Sequence, residues 1–247
     1  MSTTVLLSIT AALLLSYLIG SLQPSFLLGK AIKHVDIRDY GSGNSGATNA
    51  IRVFGFKFGM VCLLIDAAKG ALVILAVKLL LGPEVLGSVG AAVLLQLVCG
   101  LCVIVGHNHP FYMHFRGGKG VAASIGILLM IDWRLVLIAG VPALLLLVLT
   151  RIMSVASLTF EALCFVGLAI LCFHMEFYYG ILLAAFCYPL ISFWRHRSNL
   201  VRLAHGEESR LWGKGSKKTS GEIPTDQYEA VMETLDKEHG VDLHEHT

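Results

Sequence analysis

Long apolar blocks alternate with short polar islands along this chain. The blocks run from Val5 to Leu28, then over Gly59–Leu81, Gly87–Gly106, Val121–Ile131, Leu135–Leu149, Val155–Phe173 and Phe177–Trp194. Most approach the roughly 20 residues a helix needs to cross a hydrocarbon core of about 30 Å. The pattern predicts an all-α polytopic membrane protein with about seven transmembrane helices. The fourth block is short for that thickness. It starts earlier, at the Gly117–Gly120 run, or is a half-span packed against its neighbours, and a fused re-entrant fourth and fifth element is the alternative. No Lys or Arg precedes Lys30, so the first block lacks the basic lead of a secretory signal and reads as a retained span.

Composition agrees with the pattern. Of 247 residues, 55% are hydrophobic and only 15% charged, with a mean hydropathy of +0.73. A soluble globule and a disordered chain are both excluded. The formal net charge of +2 leaves no nucleic-acid footprint. All six cysteines (Cys62, Cys99, Cys102, Cys164, Cys172, Cys187) lie in apolar blocks, where a thiol behaves as a small hydrophobe. The C-x-x-C of Cys99 and Cys102 therefore reads as packing rather than redox or metal chemistry.

The position of the charges says more than their sum. Sixteen of the nineteen basic residues fall in the islands Lys30–Lys57, His107–Lys119 and Thr150–Ser154 and in the stretch from Arg195 onward. With alternating crossings these segments share one face, which predicts an outside amino terminus and a cytoplasmic carboxyl terminus. Residues 1–212 form a transmembrane body. Residues 213–247 are expected to form a cytoplasmic polar tail, and the pattern predicts a linker over Lys214–Gly221 followed by a short helix around Thr225–His239. His239, His244 and His246 lack the rigid frame of a metal site.

Three islands carry chemistry. In the first, Gly41-Ser42-Gly43-Asn44-Ser45-Gly46-Ala47-Thr48-Asn49-Ala50-Ile51-Arg52 joins glycines, neutral donors and a guanidinium. It matches G-x-G-x-x-G formally, but a membrane helix and a charged linker precede it instead of a βαβ strand, so a dinucleotide fold is rejected. The elements of phosphate binding remain: close backbone approach, hydroxyl and amide donors, and an arginine fork. A tight loop between spans is the bland alternative.

The second island ends in Arg116-Gly117-Gly118-Lys119-Gly120, directly before an apolar helix whose amino end would favour an anion. It is not a Walker A loop. A basic anchor explains Arg116 and Lys119 but not the glycines. His107, His109 and His114 lie here without a carboxylate, so no metal is expected.

In the third, Arg195-His196-Arg197-Ser198-Asn199-Leu200-Val201-Arg202, helical spacing puts His196 with Asn199 and Asn199 with Arg202 on one face. A lipid-binding basic collar accounts for the arginines but not for the His/Asn pair. Asp66 and Lys69, inside the second block, are spaced to pair on a helix face and to pack against the loops, with proton relay or transport as the functional alternative. His34 and Asp39 fit an H-x4-D acyltransferase pattern, but in a charged linker with no α/β surroundings.

Taken together, Gly41-Ser42-Gly43-Asn44-x-Gly46-Ala47-Thr48-Asn49, Asp66-x-x-Lys69-Gly70, Arg116-Gly117-Gly118-Lys119-Gly120-Val121-Ala122, Ser154-Val155-Ala156-Ser157 and His196-x-x-Asn199 resemble the bacterial acyl-phosphate:glycerol-3-phosphate acyltransferases, the PlsY family, over residues 10–210. Ser45, Ser198 and His34 depart from its pattern. The resemblance implies a membrane acyltransferase of phospholipid biosynthesis in the bacterial plasma (inner) membrane, with its active site facing the cytoplasm. It implies transfer of a fatty acyl group from acyl phosphate to the 1-hydroxyl of glycerol 3-phosphate, giving lysophosphatidate and phosphate, with no cofactor and no metal.

Carried over, the resemblance makes Ser42, Arg52, Lys119 and His196 catalytic. It makes Ser42, Thr48, Asn49, Arg52, Gly117, Gly118, Lys119, Gly120, His196 and Asn199 substrate-binding. The implied partners are the two substrates and membrane lipid, with no nucleic acid. A mixed anhydride needs no enzyme nucleophile, so direct attack by the hydroxyl is expected, with His196 either a base or a phosphate ligand. The rival from another class is a transporter of a small phosphorylated solute. A metal-dependent phosphotransferase would need a paired-aspartate helix that is not found.

Overall fold

A computed structural model describes residues 2–212. The possible helix around Thr225–His239 and the terminal histidines lie outside the described residues. Regular structure among the described residues is entirely helical: α1 (Thr3–Ser21), α2 (Pro24–Lys33), α3 (Ala47–Phe54), α4 (Phe56–Leu80), α5 (Pro83–Leu86), α6 (Val89–Asn108), α7 (Val121–Ile131), α8 (Trp133–Thr150), α9 (Met153–Leu171), α10 (Tyr178–Arg195) and α11 (Arg197–Ala204), with single 3-10 turns at Ile37–Asp39 and Phe111–Met113.

Five helices among the described residues, α1, α4, α6, α8 and α9, are long and apolar enough to cross a membrane, rather than the seven expected. The shortfall has two sources. Helix α7 has 11 residues, about 16 Å at 1.5 Å per residue, half the thickness of a hydrocarbon core. Helix α10 has 18 residues, but Tyr178, Tyr179, Tyr188, Trp194 and Arg195 dilute its apolar character and it lies outside that set.

The first apolar block is also two elements rather than one. Pro24 has no N–H to donate and opens α2 at its first position, while Gln23 before it is extended, so α1 stops at Ser21. Helix α2 then ends at His34 in the left-handed conformation, with Lys30 and Lys33 in its last turn and Leu27 and Ile32 exposed. Such a helix suits the boundary between lipid and water.

The bundle closes on small residues. Helix α1 packs on α6 and α4 on α7 by backbone contact: a Cβ on Gly20 would overlap the Val103 backbone, one on Gly106 the Tyr17 carbonyl, one on Gly70 the Ala123 carbonyl and one on Gly126 the Ala67 carbonyl. Ile74, Leu97, Ile127, Leu128, Leu135 and Ile181 fill the interior between them, while Leu14, Leu79, Leu144, Ile170 and Leu183 point outward. All six cysteines are free.

Candidate active site

The three islands meet at one end of the bundle around a cavity of about 360 Å³. Helix α3 opens at Gly46 and α7 at Gly120, and Gly46, Ala47, Gly120, Val121 and Ala122 all line this cavity. Two helix amino ends, each with unpaired N–H groups and the positive end of the helix dipole, therefore face the same space. Gly120 adopts φ +87°, which turns the chain directly into α7 and which side chains rarely tolerate.

Ser42, Thr48 and Arg52 line the cavity from the first island. Thr48 and Arg52 are one turn apart on α3 and share a face. Asn49 also reaches the wall, but its amide is committed elsewhere. Its Oδ1 accepts from Ser42 N at 2.8 Å, and its Nδ2 donates to the Ile37 and Tyr40 carbonyls at 3.2 and 3.0 Å. Asn49 braces the loop that presents Ser42. Ser45 is buried and donates to Gln23 Oε1 at 2.9 Å, while Gln23 Nε2 donates to the His107 carbonyl at 2.8 Å. The hydroxyl at this position thus ties the first island to the second through Gln23.

Gly117 and Gly118, expected to touch substrate, do not line the cavity. They form the support behind it. Gly118 N donates to the His107 carbonyl at 3.0 Å, and a Cβ on Gly118 would overlap the His107 imidazole. From the other side Arg195 Nη2 donates to the Gly117 and Gly118 carbonyls at 2.9 and 2.7 Å, and its Nε to Gly118 at 3.1 Å. The glycines are compressed between these two residues, and the next residue, Lys119, is projected into the cavity.

Lys119 Nζ donates to Asn199 Oδ1 at 2.5 Å, and Asn199 Nδ2 donates to Glu208 Oε1 at 2.6 Å. Ser154 Oγ donates to the same Glu208 oxygen at 3.1 Å, and Arg202 Nε to Oε2 at 2.8 Å. Glu208 therefore holds Asn199 in the orientation that receives Lys119. Arg195 and Glu208 lay outside the expected site. Each had a faint signal: Arg195 abuts His196, and Glu208 follows the basic stretch as part of its first acidic pair.

Burial pushes the Lys119 ammonium down to about 8, with Arg202, Arg52 and Arg195 adding repulsion and Glu208 opposing it. Burial also lowers the Arg52 guanidinium from its ordinary value. His196 is pushed down to about 4, by burial first and Lys119 second, and is neutral at pH 7. Its Nδ1 lies 2.8 Å from the Ser192 carbonyl, an acceptor only, so Nδ1 carries the proton. Nε2 is then a free acceptor. Among the described residues no cluster of ligands could hold a metal ion.

Beneath the cavity Asp66 Oδ1 lies 2.7 Å from Lys69 Nζ and 3.2 Å from His107 Nδ1, all three buried. His34 and Asp39 are not part of the cavity wall.

Residues 10–206 match the family model described as "Glycerol-3-phosphate acyltransferase". The chain belongs to the glycerol-3-phosphate acyltransferase family. A glycerol-3-phosphate acyltransferase of Shouchella clausii is 41% identical over 214 residues, covering 85% of this chain and 98% of that relative. One of Halalkalibacterium halodurans is 40% identical over 199 residues, covering 81% and 93%. A crystal structure of PlsY, an integral membrane glycerol 3-phosphate acyltransferase in its glycerol 3-phosphate form, superposes with a TM-score of 0.74 at 30% identity, covering 83% of this chain and 96% of that one. The lysophosphatidic acid form gives 0.70 at 28% identity, covering 82% and 95%. This glycerol-3-phosphate acyltransferase is an integral membrane protein of the PlsY type, helical throughout the regular structure of its described residues, and membership of the family displaces the transporter reading.

Proposed function

We propose that this acyltransferase takes its acyl group from acyl phosphate and transfers it to the 1-hydroxyl of glycerol 3-phosphate within the cavity lined by Ser42, Thr48, Arg52, Lys119, Gly120, His196 and Asn199. The observation that carries the reading is the convergence of two helix amino ends with Arg52 and Lys119 on one space. Substrates that both bear phosphate need such a site. Arg52 and Lys119 neutralise phosphate charge. Ser42 and Thr48 add neutral donors, and Asn199 fixes the ammonium.

The hydroxyl oxygen attacks the acyl carbonyl carbon as the bond from that carbon to the phosphate oxygen breaks. His196 Nε2 accepts the hydroxyl hydrogen bond and orients the attack. The proton leaves with the inorganic phosphate, either directly or through His196. No covalent enzyme intermediate is required, because the donor is already activated.

The basic residues support an orientation with the amino terminus outside and the cavity facing the cytoplasm, in the inner membrane of a bacterium. In that orientation α7 and α10 complete seven crossings, α7 as a short helix packed against α4. Residues 1–212 are the acyltransferase body and 213–247 a cytoplasmic appendage.

Purified protein in detergent, given glycerol 3-phosphate with either acyl phosphate or an acyl thioester, tests the donor. Lysophosphatidate and one equivalent of phosphate from acyl phosphate alone is the expected result. Turnover with the thioester alone would refute the donor assignment.

A further inference from the structure

The cavity contains an acceptor that the transfer chemistry above does not use. Asp66, on α4, is 1% exposed and lines the cavity together with His107. One of its oxygens is in contact with Lys69 and His107, and Lys69 Nζ is held in turn by the Leu22 carbonyl at 2.5 Å. Both carboxylate oxygens are buried without a hydrogen-bond partner among the described residues, but Oδ1 has these two ionic contacts and Oδ2 has none as close. A buried carboxylate oxygen left without a donor costs a large part of its lost hydration. Such an atom beside a binding cavity points to a donor that arrives with a ligand.

The chemistry of that donor is narrow. A carboxylate repels phosphate oxygens, so neither phosphate in the proposed reaction belongs beside Asp66. The remaining polar groups of glycerol 3-phosphate are its two hydroxyls. The reacting one is assigned to His196, whose Nε2 offers a lone pair. The second has no acceptor in the proposed mechanism.

We infer that Asp66 Oδ2 accepts the 2-hydroxyl of glycerol 3-phosphate, so that the buried Asp66–Lys69–His107 cluster reads the alcohol half of the substrate while Arg52 and Lys119 read its phosphate. The inference rests on the proposed function of the cavity. It gives the intramembrane ion pair a task in addition to packing. Lys69 and His107 orient the carboxylate from one side and leave the opposite oxygen free. The His107 carbonyl meanwhile fixes Gly118 N, so the alcohol-reading and phosphate-reading walls share one support. A carboxylate fixed on one wall also distinguishes a 2-hydroxyl from a hydrogen at the same carbon, which Arg52 and Lys119 at the phosphate cannot do.

The test compares glycerol 3-phosphate with 3-hydroxypropyl phosphate, which keeps the reacting hydroxyl and lacks the second. The measurement is kcat/KM with acyl phosphate as donor. Wild-type protein should favour glycerol 3-phosphate about 10- to 100-fold, the size of a hydrogen bond to a charged acceptor. Asp66→Asn/Lys69→Met removes both charges together, so neither is stranded in the membrane interior, and should reduce the preference to within about threefold. Asp66→Asn alone should reduce it in the same direction.

Equal use of both alcohols by the wild-type protein overturns the inference, whether or not the variants fold. Full discrimination retained by either folded variant overturns it as well. Absence of lysophosphatidate from wild-type protein with glycerol 3-phosphate is a different result, and counts against the proposed function itself.

Discussion

Lys119 and Asn199 lie 80 positions apart in sequence and are joined by a 2.5 Å hydrogen bond from the ammonium to the amide oxygen. The bond joins the start of α7 to α11 along the cavity wall. It places a cation whose ionisation is poised near 8 in the cavity proposed to hold the substrate phosphates. Because the folded value is depressed, the ammonium is fully charged well below pH 8 and is lost as pH rises through that value.

The expected consequence is a basic limb near pH 8 in kcat/KM for glycerol 3-phosphate. Bound phosphate stabilises the ammonium, so the corresponding limb in kcat should sit at higher pH. Lys119→Arg, always charged, should remove the limb even if it lowers the plateau. A limb that stays near pH 8 in this variant would assign it to another group.

His196 is neutral at pH 7, with Nδ1–H committed to the Ser192 carbonyl. It is therefore expected to accept from a substrate hydroxyl rather than to act as a cation for phosphate. His196→Gln should lower kcat about 100-fold or more, and the wild-type profile should show no acidic limb from this residue above about pH 5. Retained kcat with only a raised KM for glycerol 3-phosphate would instead make His196 a binding ligand.

Gly118 has no room for a side chain, since a Cβ there would overlap the His107 imidazole. Gly118→Ala should destabilise the protein by about 1–3 kcal/mol through overpacking, and should misplace Lys119, lowering kcat/KM by about 100-fold. Thermal unfolding and a progress curve on the same preparation check both parts. Unchanged stability and rate would show that the loop has slack.

Much of this was legible in the sequence, for definable reasons. The apolar blocks marked helices because burial in lipid demands continuous apolar runs, and the spacing of Asp66 and Lys69 announced their pair. The break at Pro24 was hidden inside a continuous apolar run, and the 11 residues of α7 could not reveal by themselves whether they crossed. Within the site, the residue types of Arg52, Lys119 and His196 carried their own signal. The commitment of Asn49 to three loop partners and the position of Gly117 and Gly118 behind the wall depend on tertiary contacts that no local pattern records. Glu208 was obscure for the same reason: an acidic residue in a polar stretch reads as solvated, yet it is 9% exposed and holds Asn199, Ser154 and Arg202.

Arg195 grips the Gly117 and Gly118 carbonyls through a planar fork that an ammonium cannot reproduce. Arg195→Lys should raise KM for glycerol 3-phosphate about tenfold, a loss comparable to one charge-assisted hydrogen bond, with a smaller effect on kcat. A change confined to kcat would mean that Arg195 acts on the reacting atoms and not through the loop.

The shared phosphate-holding cavity is tested most directly by steady-state lysophosphatidate formation from acyl phosphate and glycerol 3-phosphate, comparing wild-type protein with Arg52→Met and Lys119→Met purified in the same detergent. Each substitution should lower kcat/KM for glycerol 3-phosphate by about 100-fold or more while leaving the thermal midpoint within a few degrees, as expected for losing a charge-assisted contact to phosphate. Wild-type rates in both folded variants would contradict the assignment of these two cations to a common substrate site.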